Sequence, residues 1–228
     1  MRGGTLYEAV RRSAGLSIAG RAQPGGPAES RCRLFVLSGP SGVGKDSVIQ
    51  RLRHRVENLS IAVTQTTRSP RPGEIPGVSY FFVSRDEYNR MLDAGELLAP
   101  AEVHGNWYGA PLDEVRRGFA AGHDVLLKID VQGAIQVRRR FPQAIFVFLA
   151  PPDADVLLQR LRARHTEAPD ELDRRLADAR FEMEQLPQYD YVVVNREDDL
   201  DYAVAGLECI ITAERLRTQY QPIELGNR

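Results

Sequence analysis

Residues 34–47 read Leu34-Phe35-Val36-Leu37-Ser38-Gly39-Pro40-Ser41-Gly42-Val43-Gly44-Lys45-Asp46-Ser47, and this stretch decides the fold. The apolar run from Leu34 to Leu37 is short and bounded by Gly and Pro, as for a buried strand. Gly39, Gly44 and Lys45 then have the spacing of a phosphate-binding loop. Its glycines let backbone N–H groups turn toward phosphate oxygens. The helix that follows lends its positive N-terminal end, and the Lys reaches the β- and γ-phosphates. Val48, Ile49, Leu52 and Val56 recur at helical spacing, so the loop joins a strand to a helix. In that context Gly39, Pro40, Ser41, Gly42, Val43, Gly44 and Lys45 are expected to hold a nucleoside triphosphate, not to form an ordinary Gly-rich turn.

Similar strand-then-helix signals recur downstream. Val125–Asp130 reads as a second buried strand, followed by a helix from about Gln132 to Arg140. Ala144–Leu149 reads as a third, with a helix from about Asp153, and Tyr191–Val194 as a fourth, with a C-terminal helix starting near Asp198. Alternating buried strands and helices predict an α/β fold of the P-loop NTPase type, a parallel sheet flanked by helices. Two stretches break the rhythm. Residues from about Thr64 to Pro111 hold short runs such as Tyr80-Phe81-Phe82-Val83 between Gly and Pro turns, which predicts a small mixed α/β insertion. Arg160 to Glu184 is highly charged with few large apolar residues, which predicts an exposed helical pair. The expected organisation is a disordered N-terminal extension over residues 1–30 and one domain over 31–220. Within it the core spans 31–63 and 122–220, the insertion 64–114 and a helical lid about 158–182.

Composition limits the function classes. The 228 residues carry 30 basic and 31 acidic side chains, and this near balance argues against a general footprint for nucleic acid or anionic membrane. Cys32 and Cys209 form neither a disulfide framework nor, with the four His, a metal-ligand pattern. Both are expected to pack as small apolar residues in a reduced, cytoplasmic protein. The first thirty residues lack the apolar stretch of a signal peptide and are left out of the fold.

Lys45 and Lys128 are the only lysines in the chain. Lys128 precedes Asp130 by two residues on the strand where a P-loop protein carries acidic residues, and in an extended strand the two share one side. At the loop, Asp46 follows Lys45 where a Ser or Thr would offer a hydroxyl to Mg²⁺. Two readings stay open. Asp46 holds the metal, since Mg²⁺ accepts carboxylates, or Ser47 substitutes, turned by about 100° along the helix. Asp46 and Lys128 are expected to face each other and pair within about 4 Å.

The stretch Thr64-Gln65-Thr66-Thr67-Arg68-Ser69-Pro70-Arg71-Pro72-Gly73-Glu74 sets two guanidiniums three residues apart in a Pro-stiffened segment. Tyr80 and Tyr108 add phenolic donors. Arg forks and Tyr hydroxyls suit a phosphate monoester.

These segments, together with Ala101-Glu102-Val103-His104-Gly105-Asn106-Trp107-Tyr108-Gly109, Ile129-Asp130-Val131-Gln132-Gly133-Ala134 and Tyr191-Val192-Val193-Val194-Asn195, resemble the guanylate kinase family from Arg33 to about Arg217. The resemblance implies Mg²⁺-dependent transfer of a phosphoryl group from ATP to GMP. It implies that Thr64, Arg68, Arg71, Tyr80, Tyr108 and Asp130 bind GMP, with Asp130 near the guanine or the metal. Arg160, Arg164 and Arg175 then match lid and hinge arginines that reach the nucleotide phosphates. Asn195 joins Asp46 and Ser47 on the ATP side, near the adenine. The expected partners are ATP and GMP alone, with no nucleic acid and no membrane, in a monomer or small homo-oligomer. Three positions depart from the family. Ala99 stands where a Glu is usual, Ala110 where a Ser or Thr is usual, and Lys128 where an acidic residue is usual. The first two weaken base reading, leaving a nucleoside- or sugar-phosphate kinase, or a non-catalytic interaction module, as rival readings.

Overall fold

A computed structural model describes residues 31–103, 105–153, 155–157, 159 and 169–225, with backbone alone over 169–176. The expectations for the leader, Arg160 and Arg164 therefore lie outside the described residues. Five strands form a parallel sheet in the order β2-β7-β1-β8-β9. They are β1 (Leu34–Ser38), β2 (Leu59–Ala62), β7 (Asp124–Lys128), β8 (Ile145–Ala150) and β9 (Tyr191–Val194).

Both faces of this sheet are covered, which is why its central strands are continuously apolar. Leu34, Val36, Val125 and Leu127 pack on one side with Val115 and Phe119 of α3 (Leu112–Ala120) and Ala134 and Val137 of α4 (Val131–Arg140). Phe35, Leu37 and Leu126 pack on the other with Val48, Ile49 and Leu52 of α1 (Lys45–Leu52) and Val204, Leu207 and Ile211 of α6 (Leu200–Arg215). Strand β1 lies at the centre, between β7 and β8. The chain leaves β1 for β2 on one edge and later enters β8 on the other side. The loop after β1 thus opens at the carboxyl end of the sheet where strand order reverses, the usual ligand crevice of such sheets.

A second, mixed sheet of order β4-β3-β6-β5 stands apart from the first. Its strands are β3 (Gln65–Thr66), β4 (Phe81–Phe82), β5 (Leu97–Val103) and β6 (Asn106–Pro111), with α2 (Arg85–Asp93) between β4 and β5. Ser84 caps α2 by accepting a hydrogen bond from the Glu87 N–H at 3.1 Å. The pairing of β5 with β6 slips between Leu98 and Ala101, and Ala99 there adopts a left-handed φ of 48°. Helix α5 (Pro169–Glu184) falls in the charged stretch and leads to β9 through a 3₁₀ turn at Leu186–Gln188.

Three details differ from the sequence expectations. Strand β7 ends at Lys128, and Asp130 instead caps α4, its Oδ1 accepting from Gly133 N–H at 2.6 Å. The helix start competes for Asp130, so Lys128 and Asp130 do not share a strand face. Cys32 is buried as expected, but Cys209 is exposed on α6. Strand β2 and helix α3 were not foreseen.

The α3 backbone lies very close to the sheet at Gly118, where a methyl group would come within 2.3 Å of Val125 Cγ2. Gly118→Ala should therefore destabilise the protein by about 1–3 kcal/mol through overpacking. Urea unfolding reads this as a lowered midpoint, and an unchanged midpoint would contradict the close approach.

Candidate active site

The loop between β1 and α1 is shaped by close packing as well as by its glycines. Gly39 and Gly44 have φ of 144° and 99°, in the region that disfavours side chains. Space is lacking too: a Cβ on Gly39 would lie 2.2 Å from Leu149 O, and one on Gly44 2.5 Å from Asn195 Nδ2. Asn195, at the end of β9, is buried and donates to the Val43 carbonyl at 2.7 Å. It braces the loop from the side of the α6 start. Ser47 lies one position further on α1 from Asp46 and lines an open groove of about 570 Å³ with Asn195, Arg51 and Leu200.

Lys45 is drawn back over the loop, its Nζ donating to the carbonyls of Gly39 at 2.6 Å and Pro40 at 3.1 Å. Burial holds its pKa below the ordinary value, opposed by the nearby Glu182 carboxylate. Glu182, on α5, accepts from the Ser41 N–H at 3.3 Å. A carboxylate thus rests against the loop's backbone donors, where an anion is favoured. Desolvation raises the Glu182 pKa to about 7, more than Lys45 and the Ser41 N–H lower it.

Lys128 crosses from the end of β7 to the first turn of α1. Its Nζ donates to Asp46 Oδ1 at 2.5 Å, the pairing expected from the sequence. The ammonium also lies 4.8 Å from the centre of the Tyr80 ring. The Lys128 side chain is 15% exposed and that of Asp46 76%. Burial pulls the Lys128 pKa down, but Tyr80 and Asp46 together outweigh it and the net shift is upward. Lys128 is therefore a charged cation at neutral pH.

Beyond Tyr80 lies the arginine segment. Arg68 grips Glu74 with a two-pronged fork, Nη1 to Oε2 at 2.8 Å and Nη2 to Oε1 at 2.6 Å. The fork raises the Arg68 pKa and lowers that of Glu74. Glu74 Oε2 also accepts from the Arg71 N–H at 2.8 Å, which closes the Pro-stiffened turn. The Arg68 guanidinium lies 5.1 Å from the Tyr80 ring centre, and the Tyr80 and Tyr108 rings are 6.2 Å apart. Arg71 is exposed, and Thr64 is buried with its carbonyl accepting from Phe81 N–H at 2.9 Å.

Asp46, Lys128, Tyr80 and Arg68 thus form one chain of neighbours from the loop to the arginine segment, with Tyr108 beside Tyr80. Asp130 lies at the α4 N-terminus, where its charge acts on Lys45 and Glu182. A Cβ on Gly133 would meet Ala99 Cβ at 3.1 Å and Asp130 Oδ1 at 3.3 Å, so Ala99 and the Asp130 carboxylate border the same small space. Ala110 is fully buried. Arg175 lies on α5, where only the backbone is described. Glu74 and Glu182 are the site residues that sequence reading did not single out. Glu74 was visible as the acid closing the arginine turn, whereas Glu182 is one of many charges in its helix. Among the described residues no group of three or more His, Cys, Asp or Glu side chains could hold a metal. Asp46 nevertheless fits a Mg²⁺ that takes few protein ligands, because its Oδ2 has no hydrogen bond among the described residues.

Comparison with known proteins gives a consistent result. The family model described as guanylate kinase matches residues 31–214. The chain is 45% identical over 189 residues to a guanylate kinase of Desulfitobacterium hafniense, covering 83% of this chain and 94% of that one. It is 49% identical over 169 residues to a guanylate kinase of Rhodococcus jostii, covering 73% and 82%. The crystal structure of guanylate kinase from Anaplasma phagocytophilum superposes with a TM-score of 0.68 at 34% identity, covering 83% of this chain and 89% of that one.

The raised Glu182 pKa sets a pH dependence of stability. The folded state keeps this proton up to about pH 7, whereas the unfolded chain releases it near the ordinary carboxylate value. Stability from this group is present below that ordinary value and is lost as pH rises to about 7. Glu182→Gln should remove the loss, so the variant gains on the order of 1–2 kcal/mol over the parent between about pH 5 and pH 8. Urea denaturation of the nucleotide-free proteins tests this, and parallel pH profiles would contradict it.

Proposed function

The chain belongs to the guanylate kinase family, and we propose that its two phosphate sites transfer the γ-phosphoryl group of ATP to GMP, giving ADP and GDP. The observation that carries this reading is the continuous line of charged and phenolic groups from the P-loop to the arginine turn, through Asp46, Lys128, Tyr80 and Arg68. A scaffold would need neither end of it.

Such a transfer needs little acid or base from the protein. The accepting phosphate is largely ionised near neutral pH, and the obstacle is holding two anions in line while excluding water. On the donor side Lys45 and the amides of residues 39–44 hold the polyphosphate, displacing Glu182 from Ser41. The groove beside Ser47 and Asn195 takes the adenosine. On the acceptor side Arg68 and Arg71, with the hydroxyls of Tyr80 and Tyr108, hold the GMP phosphate. Glu74 keeps the Arg68 fork aimed. Thr64 supports the same segment, and Asp130, beside the space left by Ala99, meets the guanine edge. The lid arginines Arg160, Arg164 and Arg175 complete the charge around the transferring group. Asp46 is the preferred holder of Mg²⁺, ahead of Ser47, which lines the groove. The ion, when bound, neutralises charge on the β- and γ-oxygens.

Among the described residues no helix is long and apolar enough to cross a membrane, and Cys32 and Cys209 are both free thiols. Free thiols fit a reducing compartment such as the cytoplasm, and the near balance of 30 basic and 31 acidic side chains fits partners limited to ATP and GMP, with a monomer or small homo-oligomer as the expected state.

Coupled assay of ADP release with GMP, AMP, CMP and UMP tests the reading, with GMP the preferred acceptor. Preference for another acceptor would move the protein to a different nucleotide kinase, and activity with none would make it an interaction module. Lys45→Ala should lower kcat by at least about 10²-fold, whereas Arg68→Ala should act mainly on the KM for GMP. Full activity of the Lys45 variant would refute the mechanism.

A further inference from the structure

Resting on that reading, we propose that Lys128 is a further catalytic residue, a resident ammonium that contacts the transferring phosphoryl group between the two phosphate sites. Its position argues for this. Lys128 registers opposite Leu37, one residue before the end of β1, so its side chain leaves the sheet beside the phosphate loop. The Nζ is then flanked by Asp46 of the donor side at 2.5 Å and by the Tyr80 ring of the acceptor side, 4.8 Å to its centre.

A structural ion pair explains this placement poorly. Solvent-accessible pairs contribute about 0–1 kcal/mol, and Asp46 is mostly exposed. Withdrawing an ammonium from water costs several times that unless it is compensated. The Lys is nevertheless the buried partner, 15% exposed and held between the Asp46 carboxylate and the face of the Tyr80 ring. A cation held in this way, already desolvated between two anion sites, requires no reorganisation when charge shifts during transfer.

In the step itself the bond from the γ-phosphorus to the β,γ-bridging oxygen breaks, and that oxygen leaves on ADP with the electron pair. A GMP phosphate oxygen forms the new bond. Lys128 neither gives nor takes a proton. It offsets negative charge on the peripheral oxygens of the group in flight, while Asp46 and Tyr80 position it. A lysine fills this place where the family resemblance leads one to expect an acid, and its partner Asp46 stands on α1 where a hydroxyl is usual.

Lys128→Met keeps the length and removes the charge. It should lower kcat by about 10²–10³-fold while leaving the KM for ATP and for GMP within about threefold. The affinity for an adenosine–guanosine pentaphosphate, a bisubstrate mimic, measured by calorimetry without metal, should fall in parallel. ADP affinity and melting temperature should stay near those of the parent. Lys128→Arg, which keeps the charge with a different shape, should recover roughly a tenth of the lost activity or more. A kcat within about threefold of the parent would overturn the assignment. So would a loss of rate matched by equal losses in ADP affinity and melting temperature, which would make Lys128 a structural partner only. Absence of GMP-dependent ADP release from the unmutated protein would instead overturn the reading on which the assignment rests.

Discussion

Repulsion between two phosphate groups is the constraint on which this molecule is organised. Two unit charges 4 Å apart repel by about 1 kcal/mol in water and about 4 kcal/mol near a protein surface, and nucleotides carry several such charges. A nearly neutral chain, with 30 basic and 31 acidic residues, can meet this only by concentrating cations. Lys45, Lys128 and Arg68 do so from three separate elements, and each is held by its own acceptors, the loop carbonyls, Asp46 and Glu74. Lys45 comes from the start of α1 after the β1 loop, Lys128 from the end of the neighbouring strand β7, and Arg68 from the segment just after β3 in the smaller sheet.

The same constraint explains the acids at the site. Without substrate, a cleft lined by desolvated cations is itself costly, and carboxylates offset that cost. Asp46 rests on Lys128 and Glu74 on Arg68, whereas Glu182, at the loop amides, is itself desolvated enough for its pKa to rise to about 7. Glu182 alone rests on a backbone N–H of the phosphate loop, at Ser41, among the described residues. Glu182 belongs to α5, so the helix in the charged stretch touches the phosphate loop through this side chain.

Much of this was legible in the sequence. The loop, the four core strands and the arginine segment announce themselves because each depends on local spacing: glycines at fixed offsets, continuous apolar runs, prolines around Arg68 and Arg71. The facing of Asp46 and Lys128 could be read because a strand register and a helix start fix both ends. What could not be read depends on tertiary choice. Asp130 lies within a run that reads as strand, yet its carboxylate caps α4. Leu59–Ala62 becomes an edge strand only because β7 offers it a partner. Helix α3 carries a readable stripe in Leu112, Val115 and Phe119, though a weaker one than the continuous apolar strand that follows it. Glu182 had no distinguishing neighbour in sequence. Base recognition is the least legible part, because Ala99 and Ala110 have no polar groups to offer. Ala99 sits in a bulge packed toward Gly133, leaving Asp130 as the polar side chain bordering that space.

The most direct measurement is a crystal structure with an adenosine–guanosine pentaphosphate spanning both sites. The account predicts one phosphate chain running from the loop amides and Lys45 to Arg68, with Lys128 Nζ within about 3 Å of its central oxygens. A chain that bypasses Lys128 and leaves it bound only to Asp46 would contradict it.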